Sequence, residues 1–168
     1  MFGKLTGLAI LIAIMAACTT TQPTSQTAVS MTVPVAEEPE VSLSPDQHAV
    51  APLISHYAKK HGIPESLLNR VVTRESRYNP AARNGPYWGL MQIRHDTAQT
   101  MGYKGPASGL LDPSTNLEYA GRFLRGAWLL ADGSESRAVK LYASGYYYVA
   151  KRRRMLCETG LRNCPSKD

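Results

Sequence analysis

The chain has 168 residues, of which 43% are hydrophobic, and this fits one globular domain with flanking tails. Such a length and composition exclude a large multidomain protein and a chain that is disordered throughout. Lys and Arg outnumber Asp and Glu by 19 to 13, for a net charge of +6, which suits an anionic polymer or a membrane face as partner.

The first segment has the pattern of an export signal. Lys4 supplies a short positive start, and residues 8–17 form an uncharged apolar run. That run is too short to span a bilayer, which needs about 20 residues. It ends in Met15-Ala16-Ala17-Cys18, which resembles a bacterial lipobox. We expect a signal peptide at 1–17 and a lipid on Cys18; an ordinary signal peptide with a chance Cys is the alternative.

Residues 18–45 comprise the lipidated Cys and a segment rich in Thr, Ser, Pro, Val and Glu without helical or strand period. This composition predicts a disordered tether. Three acidic residues lie in it, so the positive excess belongs to the domain that we place at 46–168. An exported basic domain argues against nucleic acid as the partner.

Helical spacing of apolar residues organises the first part of the domain. The first helix carries Val50, Leu53 and Ile54 on one stripe. Gly62 ends it, and Pro64 can open the next helix at its first position.

Two more helices follow a long central loop at Arg83–Met91. Asp112-Pro113 starts the third helix, and Ser134 starts the fourth, which stops at Gly145. The tail from Tyr146 is interpreted as an extension of the last helix. Because no confident alternating strand appears, the predicted class is all-α, helix-dominated, with a central cleft beside the long loop.

Glu75 continues the apolar stripe of the second helix, after Leu68, Val71 and Val72. A carboxylate on that face is desolvated, and the negative end of the helix dipole lies beside it, so both effects raise its pKa. A carboxyl that stays protonated near neutral pH can act as the acid in glycoside cleavage. The alternative is a carboxylate that pairs with Arg74 or Arg77.

Three sequence elements around Glu75 carry a family resemblance. Glu75-Ser76 ends a helix and precedes Asn79-Pro80; Gly89-Leu90-Met91-Gln92 follows, and Tyr142 comes near the end of the domain. This order and spacing resemble the lytic transglycosylases with the soluble-transglycosylase (SLT), lysozyme-like domain. The resemblance covers about 100 residues, roughly Ala49 to Ala150.

The resemblance implies a role for each matching residue. Glu75 matches the single catalytic acid/base, and Ser76 matches a residue that holds its carboxyl by a hydrogen bond. Tyr142 matches a Tyr whose hydroxyl lies by the catalytic Glu. The remaining expected substrate contacts lie on the cleft loop: Tyr87, Trp88, Gly89, Met91 and Gln92.

Two positions depart from the family pattern. The family often has Tyr-Asn-x-Gly where this chain has Tyr142-Ala143-Ser144-Gly145, so one hydrogen bond is missing unless Ser144 replaces it. Tyr87-Trp88 stands where small residues are common. Trp88 is expected either to stack on a sugar ring or to pack under the loop.

The implied reaction is cleavage of the β-1,4 bond between N-acetylmuramic acid (MurNAc) and N-acetylglucosamine (GlcNAc), leaving a 1,6-anhydro end. The acetamido group of the substrate would stabilise the transition state, and no cofactor or metal would be needed. A hydrolysing glycosidase generally uses two carboxylates, and Asp96 and Asp112 remain candidates for a second one. A lysozyme-like hydrolase and a catalytically silent glycan-binding lipoprotein are therefore the alternatives.

Three cysteines leave one unpaired, and lipidation of Cys18 would leave Cys157 and Cys164 for a disulfide in an oxidising compartment. A metal site is the alternative for that pair, but nearby His and further Cys are lacking. We expect a monomer that binds peptidoglycan strands, faces the periplasm from the outer membrane through the lipid on Cys18, and has envelope or secretion machinery as candidate partners.

Overall fold

Helices dominate the computed structural model, which describes residues 44–162 and 164. The helices are Pro45–His61 (α1), Glu65–Ser76 (α2), His95–Thr100 (α3), Pro113–Leu129 (α4), Glu135–Ser144 (α5) and Tyr147–Arg152 (α6), with a 3₁₀ helix at Ala107–Leu111. The expected helix-dominated class is confirmed. The expected signal peptide, Cys18 and nearly all of the tether lie outside the described residues.

The helix ends follow the capping residues that the sequence supplies. Gly62 ends α1 with φ of 62°, a left-handed conformation that costs glycine little. Pro64 caps α2, which begins at Glu65, one residue later than predicted. The Asp112 side chain accepts a hydrogen bond from the Thr115 amide at 2.7 Å and so caps α4.

The central loop contains a small antiparallel sheet that the sequence did not predict. Its strands are Arg83–Asn84 (β1), Tyr87–Trp88 (β2) and Ile93–Arg94 (β3), in the order β1-β2-β3. Trp88 pairs with Arg83 on one side and with Ile93 on the other. Strands of two residues are too short to show the alternation on which strand prediction depends.

The core forms around α4, which packs against α1, α5 and the 3₁₀ helix. Its buried face carries Leu117, Ala120, Leu124 and Ala127, each fully buried. Burial of such apolar surface is the main stabilising contribution and holds the cleft-forming elements in place.

The tail does not extend the fourth predicted helix. Gly145 has φ of 75° and ψ of 152°, which is not a helical conformation, so α5 ends there and α6 is a separate helix. The prediction that the tail extends the last helix was therefore wrong. The fully buried Tyr146 then donates a hydrogen bond to the Phe123 carbonyl at 2.8 Å.

Cys157 and Cys164 form the expected disulfide, with 5.6 Å between their Cα atoms. Among the described helices, none has the length and apolar character needed to cross a membrane.

Candidate active site

A polar cleft of about 420 Å³ lies at the C-terminal end of α2, beside the small sheet and α5. It brings together four residues expected at the site: Glu75, Tyr87, Gln92 and Tyr142. Three further residues complete its lining, namely Arg74, Asn84 and Ala143. The sequence predicts no cleft role for Arg74 or Asn84, because an isolated polar residue has no pattern that marks it as part of a site.

Glu75 lies in the last turn of α2 with its side chain 22% exposed. Burial raises the pKa of its carboxyl, and the positive charge of Arg74 opposes this shift only in part. The Arg74 Nε atom is 3.5 Å from Glu75 Oε1, and the Arg74 side chain is 54% exposed, so solvent screens the pair. Arg74 therefore offsets the effect of burial only in part, and the pKa of Glu75 stays raised.

The end of α2 is held in place by Tyr78, a residue for which the sequence predicts no role of its own. Arg77 and Tyr78 have φ of 52° and 66°, so the chain turns sharply at the end of the helix. The buried Tyr78 side chain folds back, and its hydroxyl lies 2.8 Å from the Thr73 hydroxyl and donates to Asn69 Oδ1 at 3.3 Å. These contacts fix the turn that presents Glu75.

Ser76 does not make the expected hydrogen bond to the Glu75 carboxyl. Its hydroxyl donates instead to the Val72 carbonyl, 3.2 Å away in the preceding turn of α2. Serine in the last turn of a helix commonly bonds to the carbonyl four residues earlier, and a hydroxyl has one proton to donate. The expectation that Ser76 holds the carboxyl is therefore corrected.

Tyr142 is buried, and its hydroxyl donates to the Met91 carbonyl at 2.8 Å. Burial raises the pKa of this hydroxyl well above its usual value, and the charge of Glu75 acts in the same direction. Tyr142 thus stays protonated at any physiological pH. Tyr142 and Glu75 line the same cleft.

The residues after Tyr142 account for the departure from the family pattern. Ala143 lines the cleft and offers no hydrogen bond from its side chain. The Ser144 hydroxyl donates to the Lys140 carbonyl at 2.9 Å, within its own helix. The Ser144 hydroxyl proton is thus used within α5. Ser144 therefore does not supply the hydrogen bond that the Asn of the family pattern would make.

Gln92 presents one polar atom to the cleft. Its Nε2 amide donates to the carbonyls of Ala82 at 3.1 Å and Gly89 at 2.9 Å. These two bonds use both amide protons and fix which way the amide faces. Oε1 makes no hydrogen bond with any described residue, so it is available to accept one from a sugar hydroxyl or an acetamido N–H.

The loop that contributes Tyr87 and Gln92 to the cleft is held by Asn116 of α4, which is fully buried. Its Nδ2 donates to the carbonyls of Trp88 and Leu110 at 2.9 Å and 2.8 Å, and its Oδ1 accepts from the Met91 amide at 2.9 Å. A Cβ at Gly89 would overlap Leu110 O and the Asn116 amide, and Gly89 has φ of 69°. Glycine is required there for close packing on Asn116, and Gly89 is not among the residues that line the cleft.

Two expected sugar contacts are directed elsewhere. The Met91 side chain is fully buried in the core and cannot touch a bound sugar, which corrects that expectation. Trp88 packs against the core, and the Arg83 guanidinium lies 4.0 Å from its ring centroid. Neighbouring residues of a strand face opposite sides, so Tyr87, 41% exposed, faces the cleft while Trp88 packs beneath. Of its two expected roles, packing under the loop is the observed one.

Neither candidate for a second carboxylate lies in the cleft. Asp96 forms a bidentate pair with Arg94, with Nε–Oδ1 at 3.1 Å and Nη2–Oδ2 at 2.7 Å, and this pairing lowers the pKa of Asp96. Asp112 caps α4. Among residues 44–162, Glu75 is therefore the single carboxylate lining the cleft. The same residues contain no cluster of His, Cys, Asp and Glu suited to a metal ion.

Comparison with known proteins gives two partial relatives. The chain is 33% identical over 98 residues to the peptidoglycan transglycosylase gp16 of Escherichia phage T7, covering 55% of this chain and 7% of that protein. It is 34% identical over 85 residues to membrane-bound lytic murein transglycosylase C of Yersinia enterocolitica, covering 46% and 24%. The chain thus spans less than a quarter of the length of either relative, and no solved structure matches it.

A family model covers the whole of the cleft. The model of the transglycosylase SLT domain matches residues 52–156, which is more than half of the chain and runs from α1 to the segment after α6. It includes every cleft-lining residue from Arg74 to Ala143. The expected family is confirmed, and the chain belongs to the transglycosylase SLT domain family.

Proposed function

We propose that this chain is a peptidoglycan lytic transglycosylase, cleaving the β-1,4 bond between MurNAc and GlcNAc and leaving a 1,6-anhydroMurNAc end. Glu75 is the single acid and base of the reaction. One observation carries the proposal: a partly buried Glu with raised pKa is the only carboxylate among the described residues that line the cleft. Membership of the SLT family supports the same substrate.

The first step requires Glu75 in its neutral form. The carboxyl gives its proton to the glycosidic oxygen, the bond from that oxygen to C1 of MurNAc breaks, and GlcNAc leaves as an alcohol. The acetamido oxygen of MurNAc shares the positive charge that develops at C1. Because Glu75 is the single carboxylate among the described residues that line the cleft, that neighbouring group takes the place of an enzyme nucleophile.

The second step uses Glu75 as a carboxylate. It removes the proton from the C6 hydroxyl of the same MurNAc, and the C6 oxygen bonds to C1 while the acetamido oxygen withdraws. Glu75 ends the cycle protonated, so protons balance and no water is consumed. The adjacent Arg74 charge favours the carboxylate formed between the two steps.

The other cleft residues orient the substrate. Gln92 Oε1 accepts a hydrogen bond from the sugar, and the exposed Tyr87 ring offers an apolar face for a sugar ring. Tyr142 bonds to the Met91 carbonyl and so keeps the loop at the right distance from Glu75. Positioning of this kind can contribute several orders of magnitude to the rate.

Digestion of purified sacculi followed by mass spectrometry tests the proposal. We expect anhydro-muropeptides from the wild-type chain and a loss of about 10²–10⁴-fold in rate for Glu75→Gln, which keeps shape but cannot transfer the proton. Reducing ends instead of anhydro ends would indicate a lysozyme-like hydrolase. Equal release, or none, from both chains would reject Glu75 catalysis and leave a glycan-binding module.

The proposal extends to the part of the chain before residue 44. A lipid on Cys18 would hold the domain in the cell envelope at the end of the tether, within reach of the glycan. Incorporation of labelled palmitate into the wild-type chain but not into Cys18→Ser supports this placement. An unlabelled wild-type chain in a lipoprotein-processing host contradicts it.

A further inference from the structure

A second cavity adjoins the cleft on the side of α2 and α5. It has about 360 Å³ and shares Arg74 and Ala143 with the cleft that holds Glu75. Its remaining polar lining includes Arg70 and Lys140, and we call the cavity the basic groove. The groove is thus a continuation of the cleft whose charged side chains are all cationic.

The cations of the basic groove are largely without protein counter-charges. Arg70 and Lys140 are exposed and form no ion pair or hydrogen bond through their side chains with described residues. Arg74 has only the 3.5 Å contact with Glu75. The nearby carboxylate of Glu135 accepts a hydrogen bond from the Ser66 hydroxyl at 2.5 Å.

The spacing of these cations has a cost for the free protein. Arg70 and Arg74 are four residues apart on α2, so they lie on the same face and repel each other. Lys140 on α5 brings a third positive charge to the same groove. An anion in the groove would relieve this repulsion and would be attracted by all three charges.

A third cavity that also adjoins the cleft lacks this excess of charge. It is lined by Tyr87, Gln92 and Arg94, among others. Arg94 is neutralised by its bidentate pair with Asp96. The cleft is therefore asymmetric, with an unneutralised positive charge on the α2–α5 side alone among the described residues that line it.

We propose that the basic groove binds the carboxylates carried by the lactyl-peptide branch of a muramic residue bound in the cleft. This inference rests on the proposed function, because it takes the glycan strand as the ligand. The sugar backbone itself is neutral, whereas each muramic residue carries a free lactyl carboxylate or, where a peptide is attached, the carboxylates of that peptide. A groove that is continuous with the cleft can hold such a branch while the sugars remain beside Glu75.

Binding measurements in a Glu75→Gln background test the inference without cleavage. We expect Arg70→Gln/Lys140→Gln to weaken binding of a peptide-bearing GlcNAc-MurNAc tetrasaccharide about tenfold at low salt, as suits the loss of two exposed charge contacts. Binding of a neutral GlcNAc tetramer is expected to stay unchanged. At 1 M salt the tenfold difference should nearly vanish, because the screening length falls to about 3 Å.

A matched control removes two exposed lysines outside the groove, Lys59→Gln/Lys104→Gln, and is expected to bind all ligands like the parent. A peptide-free tetrasaccharide with free lactyl groups identifies the carboxylate: a tenfold loss there assigns the lactyl group, and a loss restricted to the peptide-bearing form assigns the peptide. Equal affinity of parent and groove variant for both charged ligands overturns the inference, and so does an equal loss for the neutral tetramer. Failure of the wild-type chain to digest sacculi would count against the proposed function alone, since this assay needs no turnover.

Discussion

The hydroxyl of Tyr142 donates a hydrogen bond to the main-chain carbonyl of Met91 at 2.8 Å. This contact joins α5 to the cleft loop across 51 positions of sequence, and both partners are buried. The helix that contributes Tyr142 and Ala143 to the cleft is thereby tied to the loop that contributes Gln92. This hydrogen bond therefore helps to set the shape of the cleft beside Glu75.

Tyr142→Phe is expected to lower kcat about tenfold and the free energy of unfolding by about 1 kcal/mol, since one buried hydrogen bond is lost. Tyr146→Phe is the matched control, because its hydroxyl makes an equally short bond of 2.8 Å to the Phe123 carbonyl but does not line the cleft. It should lose similar stability and keep its kcat. Turnover of sacculi and urea unfolding measure the two effects, and parallel losses of kcat in both variants would contradict the positioning role.

Glu75→Gln is expected to stabilise the protein at pH 7. The pKa of Glu75 is raised above its ordinary value of 4.5 in the folded chain, so folding favours the protonated form. The stability that this proton contributes is present below pH 4.5 and is lost as the pH rises through the folded pKa. Thermal unfolding at pH 4 and pH 7 should show a higher Tm for the variant only at pH 7. A gain that is equal at both pH values would have another origin.

Arg74→Gln is expected to move the alkaline limb of the kcat/KM profile to higher pH. Activity needs neutral Glu75 for the first step, so kcat/KM falls as the pH passes the folded pKa. Arg74 lowers that pKa, and its removal lets burial raise it further. Arg77→Gln removes the same charge three positions along and should leave the midpoint in place. Identical shifts in both variants would point to overall charge instead of the Arg74 contact.

Asn116→Asp is expected to destabilise the fold by about 2–4 kcal/mol, because a carboxylate cannot donate to the carbonyls of Trp88 and Leu110 and would be buried as a charge. Asn79→Asp is the control, since the Asn79 side chain uses only its oxygen, which accepts a hydrogen bond from the Ala81 amide, and Asp keeps that acceptor. Denaturant unfolding should separate the two variants clearly. Comparable stability of both would show that the loop does not depend on the Asn116 amide protons.

The helices and Glu75 could be predicted because their signals are local. Apolar stripes, Gly62, Asp112 and Ser134 act within a few residues of where they stand. The placement of Glu75 on the stripe of α2 needed only the helical period. The carboxyl therefore reaches the cleft as the pattern indicated.

The roles of neighbouring residues could not be predicted because they depend on distant partners. The backbone amide of Met91 bonds to Asn116, which is 25 positions away, and the Met91 side chain is buried in the core. Trp88 packs against the core from a strand of only two residues. Ser76 is the exception, because its partner is local: its hydroxyl donates to the Val72 carbonyl within the same helix. The basic groove combines residues of α2 and α5 that only the packing of these helices brings together.

The cavities beside Glu75 have a consequence for the length of ligand that this fold accepts. The site shares wall residues with two further cavities. Arg74 and Ala143 also line the first, and Tyr87, Gln92, Tyr142 and Ala143 also line the second. A polymer bound in the site can therefore continue past these residues into either cavity. The fold therefore accommodates a ligand that is longer than the site itself.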